Sequence, residues 1–208
     1  MTEAIHIALV DDDPAVLDSL QLYFEHHHVS AACFASAEML LAGLDAGAKP
    51  DCIVSDIRMP GMSGLDLIHR LKERRSTAAL ILITGLGDIE MAVCAIKSGA
   101  FDFIEKPFDE SRLLGSVQRA AALARQRARE AAENEELRSR FDTLSVRQRQ
   151  VMELAVAGMS NKEIASRLDI SPKTVENHRA WVMERMEAKS LAELVRIALK
   201  IEERAQGG

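Results

Sequence analysis

Five short apolar runs, each followed by a stretch with helical periodicity, fill the first 124 residues of a 208-residue chain. The runs fall at 5–10, 31–34, 52–55, 80–84 and 101–105, and the amphipathic stretches near 14–27, 36–46, 63–74, 88–98 and 109–123. A strand covered by helices on both faces is apolar on both, so it reads as a continuous run rather than an alternation. Five strand–helix units in succession dictate a doubly wound α/β domain, a five-stranded parallel sheet with crossover helices on both faces. Asp13-Pro14 and Ser63-Gly64 mark helix starts, and Gly99 marks a helix stop.

Such a sheet places ligand sites at the carboxyl ends of its strands. Asp56 stands at one of them. The run Cys52-Ile53-Val54-Ser55 closes on it, and Ile57-Arg58-Met59-Pro60-Gly61-Met62-Ser63-Gly64 then turns the chain. An isolated anion there is costly and must be neutralised. Asp11 and Asp12 follow one strand, Thr84 ends another, and Lys106 follows a third. Three carboxylates, a hydroxyl and an ammonium suit a Mg²⁺ site at which an aspartate accepts a phosphoryl group. The same residues also fit a structural role, in which Asp11, Asp12 and Asp13 cap a helix and Lys106 pairs with Asp56.

An apolar fraction of 48% argues against a disordered chain. No apolar run is long enough to span a bilayer, and no basic segment precedes an apolar stretch at the start. A soluble, cytoplasmic protein without membrane contact is therefore expected. Cys33, Cys52 and Cys94 are odd in number and form no C-x-x-C, which argues against a disulfide frame. Cys94, beside Val93 and Ile96 in a helical stretch, reads as a small buried hydrophobe. His26-His27-His28 makes a poor metal site, because three adjacent ligands do not converge. The net charge of −6 is unevenly spread: residues 1–124 carry 10 Lys+Arg against 18 Asp+Glu, whereas residues 141–208 carry 11 against 10. That asymmetry points to two domains with different partners.

Residues 124–140 are rich in Ala, Arg, Glu and Gln and contain neither Pro nor Gly, the composition of a helix rather than a flexible linker. A helix begun near Asp109 is expected to run on to about Arg138, a rod of roughly 45 Å. Ala120, Ala124, Ala128 and Ala131 form a small-residue stripe along it that fits either a rigid spacer or a dimer seam. Strand signals stop after residue 141. Ser145-x-x-Gln148 and Ser160-x-x-Glu163 are capping boxes, and Ser171-Pro172 is a third helix start. Helices are thus expected near 145–157, 160–167, 172–186 and 190–203. The short turn at Asp169-Ile170 makes the second and third a helix-turn-helix pair. Val175, Val182 and Met186 should face a small core with Ile164 and Leu168, leaving Lys173, Glu176, Asn177 and Ala180 outward. Asn177 can read adenine and Glu176 can accept from cytosine. Lys162, Lys173, Thr174 and Arg179 suit phosphate contacts. His178 fits a packing or a phosphate-facing position. Trp181 fits either packing on a neighbouring helix or exposure beside the outer face.

Val10-Asp11-Asp12-Asp13, Asp56-x-x-Met59-Pro60-x-x-x-Gly64, Ile83-Thr84-Gly85 and Glu105-Lys106-Pro107-Phe108 resemble the receiver domain of bacterial response regulators over residues 5–123. The resemblance implies a flavodoxin-like fold with Asp56 as the phosphoacceptor. It implies that Asp12 and Asp56 hold Mg²⁺ or Mn²⁺ directly, that the backbone carbonyl of Arg58 helps, and that Asp11 acts through water. It gives Lys106 and Thr84 the phosphoryl oxygens, Gly85 the room for Thr84 to turn, Phe103 the part of a switch aromatic, and Lys106-Pro107 a cis peptide. Leu144-Ser145-x-x-Gln148, Asn161-Lys162-Glu163-Ile164-Ala165 and Ser171-x-x-Thr174-Val175-x-x-His178 resemble the LuxR-type helix-turn-helix of the FixJ/NarL family over about residues 141–204. Gly85-Leu86-Gly87-Asp88, the segment Phe101-Asp102-Phe103-Ile104-Glu105-Lys106-Pro107-Phe108 and Leu154-Ala155-Val156-Ala157-Gly158 point to the FixJ-like branch.

These resemblances imply a receiver at 1–123, a helical linker at 124–140 and a small all-α, four-helix DNA-binding domain at 141–208. A sensor histidine kinase would phosphorylate Asp56, and the receiver would dimerise through residues 88–105. The dimer would bind two-fold symmetric double-stranded promoter DNA and act on RNA polymerase. Such a protein is no enzyme beyond its own phosphotransfer and slow dephosphorylation. Arg58 and Leu86 flank the approach of a hydrolytic water, and neither offers a carboxamide to align it. Two rivals fit less well. An aspartate-nucleophile phosphohydrolase needs a second Asp two residues beyond the first, where this chain has Arg58. A ligand-sensing LuxR-type regulator needs an aromatic-lined pocket, yet Tyr23 is the one Tyr and Trp181 lies in the other domain.

Overall fold

The computed structural model describes residues 4–85 and 89–206, with the side chains of 89, 90 and 202–206 left aside. Strands β1 (Ile5–Val10), β2 (Val29–Phe34), β3 (Cys52–Asp56), β4 (Ala79–Thr84) and β5 (Asp102–Glu105) form a parallel sheet in the order β2-β1-β3-β4-β5. Helices α1 (Pro14–His26), α2 (Ala37–Asp45), α3 (Gly64–Glu73), α4 (Ile89–Lys97) and α5 (Glu110–Asp142) follow the strands in turn. The order reverses between β1 and β3, and their register aligns the candidate site. Val10 is opposite Ser55, so the next residues, Asp11 and Asp56, lie side by side at the carboxyl end. Thr84 is opposite Glu105, which brings Thr84 and then Lys106 to the same end.

Successive side chains of a strand point to opposite faces. On one face Ile7, Leu9, Val54, Ile81 and Ile104 pack with Leu17, Leu20 and Phe24 of α1 and with Leu113, Val117, Ala120 and Ala124 of α5. On the other, Ala8, Val10, Ile53, Leu80 and Leu82 pack with Leu40 and Leu41 of α2, Leu67, Ile68 and Leu71 of α3, and Ala95 of α4. Both faces being covered is why the strands read as unbroken apolar runs.

Three local expectations need correction. β2 begins at Val29, two residues before the expected start. His28, with φ 58°, reverses the chain after α1 and delivers Val29 directly into the core, while the polar His run and Ser30 hide that start in the sequence. β5 begins one residue later than expected, at Asp102. Cys94 is exposed, not buried. α4 turns Ala95 inward and leaves Val93 and Ile96 each 49% exposed.

α5 runs unbroken for 33 residues, beyond the expected Arg138 to Asp142. Of its alanine stripe, Ala120 and Ala124 are buried in the first core, whereas Ala128 is exposed. The chain divides into two compact units, residues 1–128 and 129–208, with the boundary inside α5. In the second unit the end of α5 is followed by α6 (Val146–Val156), α7 (Asn161–Leu168), α8 (Pro172–Arg185) and α9 (Leu191–Gln206). Ser145 and Ser160 form the expected capping boxes, and Ser171 caps α8 with Pro172 at its first position. Asp169, with φ 52°, closes α7 in the left-handed conformation and sets the tight turn into α8. Val151, Ala155, Ile164 and Val175 make one small cluster; Leu144, Met152, Val182, Met186 and Leu194 make another.

A bidentate ion pair fastens α5 to the residue before β3. Arg125 donates from Nε to Asp51 Oδ1 at 3.0 Å and from Nη2 to Asp51 Oδ2 at 2.8 Å, and Asp51 Oδ2 also accepts the His6 N–H. Burial raises the Asp51 pKa, but the hydrogen bonds from Arg125 and His6 outweigh it and hold the carboxyl below its ordinary 3.8. Arg125→Met should destabilise the first unit by about 2 kcal/mol at neutral pH, read by denaturant unfolding. Because the folded value is depressed, the contribution of Asp51 is whole above 3.8 and is lost as the pH falls from there through the folded value. The gap between parent and variant should therefore narrow on acidification, leaving the share of the Arg125 bond to the Ala4 carbonyl; a gap that persists undiminished in strong acid would exclude this ion pair as its source.

Candidate functional site

Asp56 closes β3 with its side chain 12% exposed. Its Oδ2 accepts the Arg58 N–H at 2.7 Å, and its Oδ1 accepts from Lys106 Nζ at 2.7 Å. The same ammonium donates to Asp11 Oδ2 at 3.2 Å, so one cation joins the ends of β1, β3 and β5. Burial pushes the Asp11 carboxyl above its ordinary value, in spite of the Asp13 N–H and of Lys106, which both favour the anion. Burial works against the Lys106 ammonium as well, but Asp56 and Asp11 prevail and raise its pKa. Asp12, the next residue, is exposed. Thr84 ends β4 almost fully buried, and its carbonyl accepts the Lys106 N–H at 2.6 Å. The Lys106–Pro107 peptide is cis. The structural roles exist beside these: Asp13 Oδ1 caps α1 by accepting the Ala15 N–H, and Lys106 does pair with Asp56.

The turn after Asp56 is held by two residues. A Cβ at Gly64 would lie 2.7 Å from the Asp56 carbonyl oxygen and 2.8 Å from Leu82 Cδ2, so glycine lets α3 start against the end of β3. Glu38, in the first turn of α2, accepts the Met62 N–H at 2.9 Å and so latches the turn from the side. Nothing in the sequence singles out Glu38, which stands 24 residues from its partner. A Cβ at Gly85 would meet no atom within 4 Å, so packing among the described residues does not by itself demand glycine there. Phe103 is half-buried on β5 against the core beside α4. Leu86, Gly87 and Asp88 lie outside the described residues.

Among the described residues, no three His, Cys, Asp or Glu side chains are drawn together closely enough to enclose a metal ion. The Lys106 ammonium is bonded to both Asp11 and Asp56. The donors still fit Mg²⁺, which takes hard oxygen ligands, needs one or two carboxylates and keeps several waters. Asp11 and Asp56 are adjacent by register, Asp12 is the next residue, and the Arg58 carbonyl belongs to the same turn.

In the second unit, Val175 and Val182 face inward and Lys173, Glu176, Asn177 and Ala180 are exposed along α8. Trp181 is 52% exposed, one helical turn beyond Asn177, so it stands beside the outer face rather than in the core. Lys173 Nζ pairs with Glu176 Oε2 at 2.9 Å on that surface. Thr174 is half-buried and shares a hydroxyl hydrogen bond with Ser171. Arg179 is half-buried and donates to Asn161 Oδ1 at 2.8 Å, tying α8 to the start of α7. Arg179 thus has a structural bond in addition to the phosphate contact expected of it. Lys162 is exposed at the start of α7, and His178 is half-buried.

Residues 7–118 match the model of the response regulator receiver domain, and residues 142–198 match that of the bacterial regulatory proteins of the luxR family. The chain is 43% identical over 200 residues to the transcriptional regulatory protein FixJ of Bradyrhizobium diazoefficiens, covering 96% of this chain and 97% of that protein. It is 41% identical over 197 residues to the response regulator protein TodT of Pseudomonas putida, covering 95% and 86%. Among solved structures, the response regulator StyR matches with a TM-score of 0.82 at 34% identity, covering 95% of this chain and 99% of that one. Full-length FixJ from B. japonicum matches with a TM-score of 0.59 at 41% identity, covering 98% and 99%. The chain belongs to the FixJ-like two-component response regulators, transcriptional regulators that join a receiver to a LuxR-type DNA-binding domain.

Proposed function

We propose that Asp56 is the phosphoacceptor of a receiver at 1–123, joined by a helical linker at 124–140 to a DNA-binding domain at 141–208. The observation that carries this reading is the Lys106 ammonium 2.7 Å from Asp56 Oδ1, with Asp11 beside it at the switch point of the sheet. An oxygen of Asp56 attacks the phosphorus of a phosphohistidine on a sensor histidine kinase. The P–N bond breaks, and its electron pair returns to the histidine ring. Asp11, Asp12, Asp56 and the Arg58 carbonyl would hold Mg²⁺ or Mn²⁺, which supplies charge neutralisation on the transferring oxygens. Lys106 then pairs with a phosphoryl oxygen as a point charge, and the Thr84 hydroxyl takes another. Thr84 and Phe103 are the switch pair. Arg58 can donate to a hydrolytic water but not accept from it, which favours slow dephosphorylation.

Phosphorylation favours a homodimer through residues 88–105, where Val93 and Ile96 offer apolar surface. The dimer sets two recognition helices on symmetric double-stranded promoter DNA, where Glu176 and Asn177 reach base edges and Lys162, Lys173, Thr174 and Arg179 lie near phosphates. RNA polymerase is the downstream partner. Action in the cytoplasm is part of this reading, and no helix among the described residues is long and apolar enough to cross a membrane.

Asp56→Asn keeps the shape of the acceptor and removes the nucleophile. With acetyl phosphate and Mg²⁺, intact-mass analysis should show a phosphoryl adduct on the parent and none on the variant; equal labelling of both would refute the assignment. On DNA, Lys173→Ala should weaken binding to all sequences and reduce the salt slope by about one. Asn177→Ala should instead relax base preference with the slope retained. Binding selections at several salt concentrations would separate the two, and identical behaviour would count against the placement of both residues.

A further inference from the structure

At the end of the sheet opposite Asp56, where β4 and β5 begin, a cavity of about 420 Å³ opens between α3, α5 and the loops at 76–78 and 99–101. Its floor is apolar: Ile68, Leu71, Leu80 and Ala100 are each at most 7% exposed. Lys72, from the last turn of α3, and Arg127, from α5, stand at its rim. The volume falls within the roughly 300–1,000 Å³ of small-molecule sites. A second cavity, against β1 and β2, holds about 210 Å³ and falls below that range.

The two rim cations are left over by the surrounding ion pairs. Glu73 pairs with Arg70, Asp45 with Arg74, Asp102 with Arg119 and Asp51 with Arg125. Among the described residues, no carboxylate pairs with Lys72 or Arg127. The Lys72 side chain is laid across Gly99, where a Cβ would come 3.0 Å from its Cε and 3.3 Å from its Nζ. Gly99 has φ +99°, a conformation that keeps the position free of a side chain. Glycine at 99 thus leaves room for the Lys72 side chain at the cavity wall.

We propose that this cavity binds a small carboxylate with a compact apolar body. The body covers the floor, and the carboxylate takes the Lys72 ammonium and the fork of the Arg127 guanidinium. A neutral hydrophobe would bring no charge to either cation, and an inorganic anion would leave the floor wet. The two features together select an amphipathic anion. The bound molecule bridges α3 and α5 at the end of the sheet away from Asp56, so the site is independent of the phosphoacceptor.

Adamantane-1-carboxylate is a suitable probe, titrated calorimetrically into the full-length protein. Saturable one-to-one binding is expected. The neutral adamantane-1-carboxamide, and the double variant Lys72→Met/Arg127→Met with the carboxylate, should each bind at least about tenfold more weakly. Ala78→Phe, which places a ring in the cavity, should abolish binding, while all variants still accept phosphate from acetyl phosphate as proof of a folded receiver. Absence of saturable binding to the parent would overturn the proposal. So would equal affinity for carboxylate and carboxamide, or an affinity unmoved by the double variant.

Discussion

The Lys106 ammonium is the constraint on which the receiver depends. Two carboxylates brought side by side by strand register would repel, and burial already pushes Asp11 toward its neutral form. A cation reaching both, from the residue after β5, lets Asp11 and Asp56 stay together at the carboxyl end of the sheet. The rest of the geometry serves that meeting. The reversal of strand order between β1 and β3 opens the crevice, Gly64 allows α3 to begin against it, and Glu38 latches the turn that carries Arg58. A phosphoryl group on Asp56 would offer Lys106 a more highly charged partner than the carboxylate it holds in this structure. A change of partner at one residue is thus a change in the contacts of three strands.

Residues 124–140, free of Pro and Gly, keep α5 helical between two cores. Its first half gives Leu113, Val117, Ala120 and Ala124 to the sheet-side core, and its last turns give Leu137 and Phe141 to the core of the second unit. Good helix formers carry the chain between those commitments. The Asp51–Arg125 pair fixes the helix near the end of its first commitment, and Arg149 lies 4.9 Å over the Phe141 ring at the second.

Local signals made most of the fold legible. Apolar runs located all five strands, and Ser-x-x-Gln/Glu boxes located helix starts in the second unit to within a residue. Asp11, Asp56, Thr84 and Lys106 meet at one edge, as their places after apolar runs predict, because strand ends in a parallel sheet share it. What could not be read depends on pairs far apart in sequence. Glu38 with Met62, Asp51 with Arg125 and Asn161 with Arg179 each join separate elements, and no spacing rule links them. Val29 was lost behind a polar His run. Cys94 was misplaced because α4 is apolar on more than one face, so periodicity alone did not reveal that Ala95 is the inward residue.

We propose that phosphorylation of Asp56 governs DNA binding by α8. The most direct measurement is the affinity of the full-length protein for a two-fold symmetric promoter fragment, determined with and without acetyl phosphate and Mg²⁺ at fixed salt. Affinity should be at least about tenfold higher with the phosphodonor, with two protomers per fragment and no response in a chain that lacks the Asp56 carboxylate. Equal affinity in both conditions, or an equal response without that carboxylate, would contradict it.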